Sequence, residues 1–244
     1  MRRRLFRPRV RLLRLPIHYR QKRVIKVCDE IINRKQKVYF AIRSRVDLVN
    51  PEMLKALKEA GCKRIYYGIE SGDEDILKTL KKKTTIRTII DSIKETRKQG
   101  IDTFGYFMVG NPGDTPQTIN DTINLAVDLD LNYAQFSKVT PMPGTALYDM
   151  LIEETGRDYW REAILNPGDD VYIPRPACNM TEDEVQEAAR RAYIKFYFRP
   201  RYVLSALKRI KSFHELARSA YTAFSMWWTR GGVFEKSWAN RVQY

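Results

Sequence analysis

The chain has 244 residues, 43% hydrophobic and 30% charged, long enough for one α/β domain with a sizeable core and too apolar for wholesale disorder. Its formal net charge of +15 belongs to the two ends: eight arginines and no acid in residues 1–20, twelve basic against two acidic groups in 190–244, and 24 basic against 27 acidic in 21–189. A uniformly basic nucleic-acid binder does not look like this, no apolar run approaches the ~18 residues of a membrane span, and three scattered cysteines without CxxC spacing fit buried thiols in a reducing, cytoplasmic setting.

Residues 1–20 are expected to be an unstructured Arg-rich leader. Apolar residues at i, i+3, i+4 spacing then predict a helix from Arg23 to Lys35, and Lys37–Arg45 reads as a strand that turns polar at its end. Pro51 opens a helix that Gly61 stops. Strand Arg64–Glu70, helix Glu74–Leu80, the basic run Lys81–Lys83 and helix Thr85–Lys98 follow. Next come strand Thr103–Val109, an Asn-Pro-Gly-Asp turn, helix Pro116–Leu129, strand Tyr133–Val139 and helix Ala146–Glu154. Strand and helix alternate four times, which predicts parallel strands with right-handed crossovers.

After Thr155 the rhythm stops. Residues 156–180 read as loop, Thr181 and Glu184 form a capping box that starts a helix to about Phe198, and Tyr202–Lys211 and Phe213–Thr229 complete a helical tail. The domain reading is a leader (1–20), a partial barrel (21–155), and a loop with a basic, aromatic helical tail (156–244).

Two strands end in bursts of chemistry-bearing residues: Arg64-Ile-Tyr-Tyr-Gly-Ile-Glu-Ser-Gly72 and Phe107-Met-Val-Gly-Asn-Pro-Gly-Asp-Thr115. In parallel α/β barrels ligands sit at such C-terminal strand ends. Alternation puts Arg43 with Arg45, Gly68 with Glu70, and Gln135 with Ser137 on one face each, and such groups are costly inside a barrel unless they meet a partner or a ligand. Either an arginine pairs with Glu70 or Asp47 as a structural ion pair, or guanidinium and carboxylate together hold a zwitterion. The only histidines, His18 and His214, lie in the leader and the tail, so neither a His-based mechanism nor a metal site is expected.

These segments, with Arg43-Ser-Arg-Val-Asp47 and Thr140-Pro-Met-Pro-Gly-Thr145, resemble the radical SAM superfamily, and within it the group whose members usually carry an N-terminal cobalamin-binding domain. The resemblance covers residues 21–150, and Phe196-Tyr-Phe-Arg-Pro-Arg-Tyr202 looks like tails of that group. It implies a partial (βα)6 barrel of which this chain holds about the last four βα units. It also implies S-adenosylmethionine, a 4Fe–4S cluster, a 5′-deoxyadenosyl radical, and cobalamin-dependent methyl transfer or rearrangement on a hydrophobic substrate. Independently of the resemblance, Gly68 lacks a side chain where a flat ligand could approach the backbone. By the family's pattern Glu70 and Ser71 lie beside the methionyl group, Arg43 and Arg45 line the same cavity, and Met108 to Gly110, with Gln135 and Ser137, shape the adenosyl side.

The departures are the missing CxxxCxxC, whose thiolates the cluster needs, and Asn111 and Asp114 where the family has Leu and Glu. The expected partner is therefore an N-terminal half or a second subunit, and the alternative is a non-catalytic barrel without a cluster. The tail suggests peripheral contact with an anionic membrane; nucleic acid is not an expected partner.

Overall fold

In the computed structural model the described residues are 11–12, 21–166 and 172–209. The chain divides into two compact units, Met1–Phe107 with Asn124–Gln135, and Met108–Ile123 with Phe136–Tyr244. The class is α/β, with the strand–helix alternation of a partial (βα) barrel.

The first unit holds most of a five-stranded sheet ordered β1 (Arg11–Leu12), β2 (Phe40–Ser44), β3 (Cys62–Glu70), β4 (Asp102–Val109) and β5 (Tyr133–Lys138). The last residues of β4 and β5 belong to the second unit. The pairs β1–β2, β2–β3 and β3–β4 are all parallel. The helices are α1 (Gln21–Asn33), α2 (Pro51–Glu59), α3 (Glu74–Thr79), α4 (Ile86–Lys98) and α5 (Pro116–Asp128).

Local chemistry sets the boundaries. Asn50 accepts from the Met53 N–H at the start of α2, where Pro51 fills the first turn, and Thr85 accepts from the Thr88 N–H at the start of α4. One face of β3 is the core: Ile65, Tyr67 and Ile69 are fully buried, with Met53, Leu54 and Leu57 of α2 and Ile89 and Ile93 of α4. Each such side chain contributes about 1.5–3 kcal/mol by leaving water. Tyr67 satisfies its hydroxyl at 2.7 Å from Thr96 Oγ1. The other face of β3 (Arg64, Tyr66, Gly68, Glu70) is only half-buried, and so is the corresponding face of β4 and β5.

Two expectations are corrected here. The leader is not wholly without structure: Arg11 and Leu12 pair with Phe40 and Ala41. Strand β2 is also shorter than Lys37–Arg45: it runs Phe40–Ser44, and Arg45 is the extended residue that leads into a 3-10 turn at Val46–Leu48.

The second unit contains α6 (Ala146–Thr155), α7 (Tyr159–Leu165), α8 (Glu182–Tyr197) and α9 (Pro200–Arg209). Helix α7 falls where a loop was expected, and it forms because Asp158 accepts from the Arg161 N–H as its cap. The capping box of α8 is present as read: Thr181 bonds the Glu184 N–H while Glu184 reaches back. Val185, Ala188, Ala192 and Phe196 form its buried face, and Phe136 lies 5.4 Å from Tyr193 and 6.2 Å from Phe196, ring centre to ring centre. The stretch expected to be helical at 213–229 lies outside the described residues. Among the described residues no helix is long and apolar enough to cross a membrane.

Candidate functional site

Strand β3 does not end simply. Its register with β4 slips between Gly68 and Glu70, so that Gly68 faces Tyr106 and Glu70 faces Phe107. Ile69 is thus the extra residue of a bulge. Glu70 has φ +73°, and the Ser71 N–H bonds back to the Ile69 carbonyl at 3.0 Å, which makes a γ-turn centred on Glu70. That turn is rare and strained, and such strain concentrates at functional sites.

The Glu70 carboxylate meets the Lys82 ammonium, Nζ to Oε1 2.8 Å, with side chains 15% and 28% exposed. Lys82 reaches it because α3 ends in a Schellman cap. Lys81, at φ +53°, donates to the Lys78 carbonyl and Lys82 to the Leu77 carbonyl, at 2.8 and 2.9 Å. Gly68 completes the constellation: a Cβ there would stand 2.6 Å from Glu70 Oε1 and 3.6 Å from Lys82 Nζ. A carboxylate, an ammonium and a bare stretch of backbone therefore converge on the half-exposed face of β3.

The expected arginine partners of Glu70 lie elsewhere. Arg45 is outside the strand and grips Asp47 with both Nε and Nη2 at 2.8 Å, so the structural ion pair is the reading that fits it. This bond holds the Asp47 carboxyl below its ordinary value, against a smaller opposing effect of burial. Arg43 is exposed, its guanidinium 5.8 Å from the Tyr106 ring centre. Ser71 is fully buried, and its hydroxyl accepts from the Asp73 N–H at 3.2 Å, shaping the bend that leads into α3. Gln135 is half-buried on β5.

The remaining expected residues belong to the second unit. Met108 and Ser137 are half-buried. Gly110, at φ +81°, has a packing role: a Cβ would stand 2.9 Å from Arg175 Cδ and 3.1 Å from Val185 Cγ1. Beyond it, the buried Asp114 carboxylate accepts from the Asn111 N–H (2.7 Å), Asn111 Nδ2 (3.0 Å) and the Thr118 hydroxyl (2.9 Å). Burial nevertheless pushes the Asp114 carboxyl up, outweighing those bonds. Arg175, almost fully buried, donates to the Val139 carbonyl at 2.8 Å and pairs with Glu182, which Lys138 also reaches at 3.1 Å. Burial raises the Glu182 carboxyl, but the bonds from Arg175 and Lys138 together bring it below its ordinary value.

A profile of the radical SAM superfamily matches residues 13–126. Over this segment, just under half of the chain, the chain is similar to the radical SAM superfamily. An uncharacterized methyltransferase of Pyrococcus horikoshii is 32% identical over 187 residues, 75% of this chain and 39% of that protein. An anaerobic magnesium-protoporphyrin IX monomethyl ester cyclase of Cereibacter sphaeroides is 28% identical over 226 residues, 82% of this chain and 36% of that protein. The chain thus spans less than half the length of these relatives. Among solved structures, the Escherichia coli radical SAM coproporphyrinogen III oxidase HemN superposes with a TM-score of 0.52 at 13% identity, over 75% of this chain and 38% of that one. The radical SAM methyltransferase TsrM of Kitasatospora setae, with cobalamin and a 4Fe–4S cluster bound, gives 0.50 at 19% identity, over 53% and 27%. These two are likenesses of fold.

The match to the radical SAM superfamily implies S-adenosylmethionine and a 4Fe–4S cluster, and the residues present fit the two unequally. The Gly68–Glu70–Lys82 constellation fits the methionyl end of S-adenosylmethionine, a carboxylate for its ammonium and an ammonium for its carboxylate. The cysteines do not fit the cluster. Burial raises the Cys28 thiol to about 11 and the Cys62 thiol to about 12, and Cys178 is raised by burial too. A cluster needs thiolates. Among the described residues no group of His, Cys, Asp and Glu is placed to hold a metal ion.

Lys82 and the γ-turn at Glu70 escaped the sequence reading. The run Lys81–Lys83 carries no signal of direction, and a left-handed lysine in a helix cap leaves no mark in periodicity.

Proposed function

We propose that residues 21–155 form the part of a radical SAM methyltransferase that holds S-adenosylmethionine, with thiolates from outside residues 1–244 supplying the cluster. The observation that carries this is the strained γ-turn that aims Glu70 at Lys82 across Gly68. Bound there, S-adenosylmethionine supplies a transferable methyl or adenosyl group. Glu70 takes its ammonium, Lys82 its carboxylate, and Gly68 lets the ligand lie against the backbone. Methyl transfer is favoured over other radical SAM chemistry by the name of the Pyrococcus horikoshii relative, and a cobalamin requirement by the Kitasatospora setae structure. An N-terminal half or a second subunit is the partner this reading requires.

A second reading, a barrel that binds S-adenosylmethionine without cleaving it, is favoured by the thiols, which are protonated and scattered. Calorimetric titration of the chain with S-adenosylmethionine tests both. Saturable binding that Glu70→Gln weakens at least tenfold is the expected result. No binding, or equal binding by the variant, overturns the S-adenosylmethionine site. Stoichiometric iron and sulfide after anaerobic reconstitution would remove the need for outside thiolates.

A further inference from the structure

The half-exposed face of the first unit's sheet carries more than Gly68, Glu70 and Lys82. Alternation also puts Arg64 and Tyr66 of β3, Phe104 and Tyr106 of β4, and Tyr133 of β5 on it. Ring centres are 4.8 Å apart for Tyr66–Phe104, 4.9 Å for Phe104–Tyr106, 6.0 Å for Tyr66–Tyr106 and 6.1 Å for Phe104–Tyr133. Their planes differ by 21–43°, so the rings run together across three strands and none turns edge-on to close the cluster. Aromatic side chains of this size dominate cores and interfaces. This face is not the core, which is filled from the other side by Ile65, Tyr67, Ile69 and Phe107.

Two guanidinium groups flank the rings. Arg64 lies 4.0 Å from the Tyr133 ring centre, reaches Asp102 only at 3.4 Å, and has a buried Nε without a hydrogen-bond partner. Arg43 is exposed, hydrogen-bonds the Tyr106 side chain, and is paired with no carboxylate among the described residues. The rings ask for apolar, planar surface, and Arg43 asks for an anion. A cation would be repelled, a neutral ring would leave Arg43 without a countercharge, and an aliphatic acid would forgo ring–ring attraction.

We propose that this face binds a planar conjugated carboxylate, its rings against Tyr66, Phe104 and Tyr106 and its carboxylate on the Arg43 guanidinium. The assignment deepens the reading above and rests on it only in taking this ligand to be the substrate. Fluorescence titration of the full chain with 2-naphthoate tests it, with 2-naphthalenemethanol as the neutral analogue and octanoate as a non-planar competitor. Expected are saturable binding of 2-naphthoate and at least tenfold weaker binding of the other two. Arg43→Gln and Tyr106→Leu are each expected to weaken 2-naphthoate at least tenfold, whereas Tyr106→Phe, which keeps the ring, retains binding. Absence of 2-naphthoate binding, equal binding of the alcohol or of octanoate, or wild-type affinity in Arg43→Gln would overturn the proposal. If Tyr106→Leu does not fold, Arg43→Gln and the analogue series decide. A parallel titration with S-adenosylmethionine separates the two readings: 2-naphthoate binding without it leaves this site standing and removes the one above, and the converse does the reverse.

Discussion

Lys82 Nζ lies 2.8 Å from Glu70 Oε1, across a span of twelve residues that contains all of α3. The pair joins a strained strand end to a left-handed helix cap, so each fixes the position of the other. The Schellman bonds of Lys81 and Lys82 orient the lysine backbone, and the γ-turn orients the carboxylate.

Replacing Lys82 by Met leaves the Glu70 carboxylate with no countercharge in a largely desolvated position. A fully buried pair would lose ~3–5 kcal/mol. With the lysine 28% exposed, solvent screening reduces this to about 1–2 kcal/mol. Denaturant unfolding of Lys82→Met, Glu70→Gln and the double variant gives the coupling directly. A double variant more stable than Lys82→Met would show that the cost came from the orphaned carboxylate. The same Lys82→Met protein should bind S-adenosylmethionine at least tenfold more weakly.

Two glycines on neighbouring strands separate site from core. At Gly68 an added Cβ meets the Glu70 carboxylate at 2.6 Å, whereas at Gly105 it meets Leu131 Cδ1 at 2.7 Å and Phe107 Cε2 at 2.8 Å. Gly68→Ala should cut S-adenosylmethionine affinity at least tenfold while the melting temperature falls by no more than a few degrees. Gly105→Ala overpacks the core and should cost about 1–3 kcal/mol of stability. Calorimetric titration and thermal melts of both variants check the pair, and the reverse assignment of losses would contradict it.

The four main strands and the helices between them were legible because each strand is a short apolar run closed by Gly, Pro, Asn or Asp, and each helix repeats at i, i+3, i+4. The two-residue strand Arg11–Leu12 was not, since pairing of so short a segment depends on its neighbour and not on its own pattern. Gly68 and Glu70 could be singled out by alternation. The partner of Glu70 could not, because a side chain's reach is decided by where a helix cap sets its Cα. Alternation also implied an inward Arg45, and its bidentate bond to Asp47, two residues on, is what the sequence could not rank above that. Apolar residues on both faces of β4 hid the row formed by Phe104 and Tyr106 beside Tyr66.

Acid should act on Glu182 and Asp114 with opposite signs. Glu182 titrates below its ordinary 4.5 in the folded chain, so its stabilising contribution is present above that value and is lost as pH falls through its folded pKa. Asp114 titrates above its ordinary 3.8, so the folded chain takes up its proton first and gains stability as pH falls through the folded pKa towards 3.8. Melting curves of wild type, Glu182→Gln and Asp114→Asn between pH 7 and 3.5 should therefore converge with wild type on acidification for Glu182→Gln and show a growing deficit for Asp114→Asn. Parallel curves for either variant would remove the corresponding linkage.

Thiol chemistry tests the fit to the cluster without any assay of turnover. With Cys28 at about 11 and Cys62 at about 12, roughly a thousandth or less of either is thiolate at pH 8, and both are buried. Cys178 is also raised, but it is partly open to solvent. Iodoacetamide at pH 8 should therefore modify Cys178 in the native chain and reach Cys28 and Cys62 only after unfolding, as read by peptide mass spectrometry. Native labelling of Cys28 or Cys62 at a rate near that of a free thiol would mean that α1 and β3 part readily. The thiols would then be open to metal, and the argument against their serving a cluster would lose its physical basis.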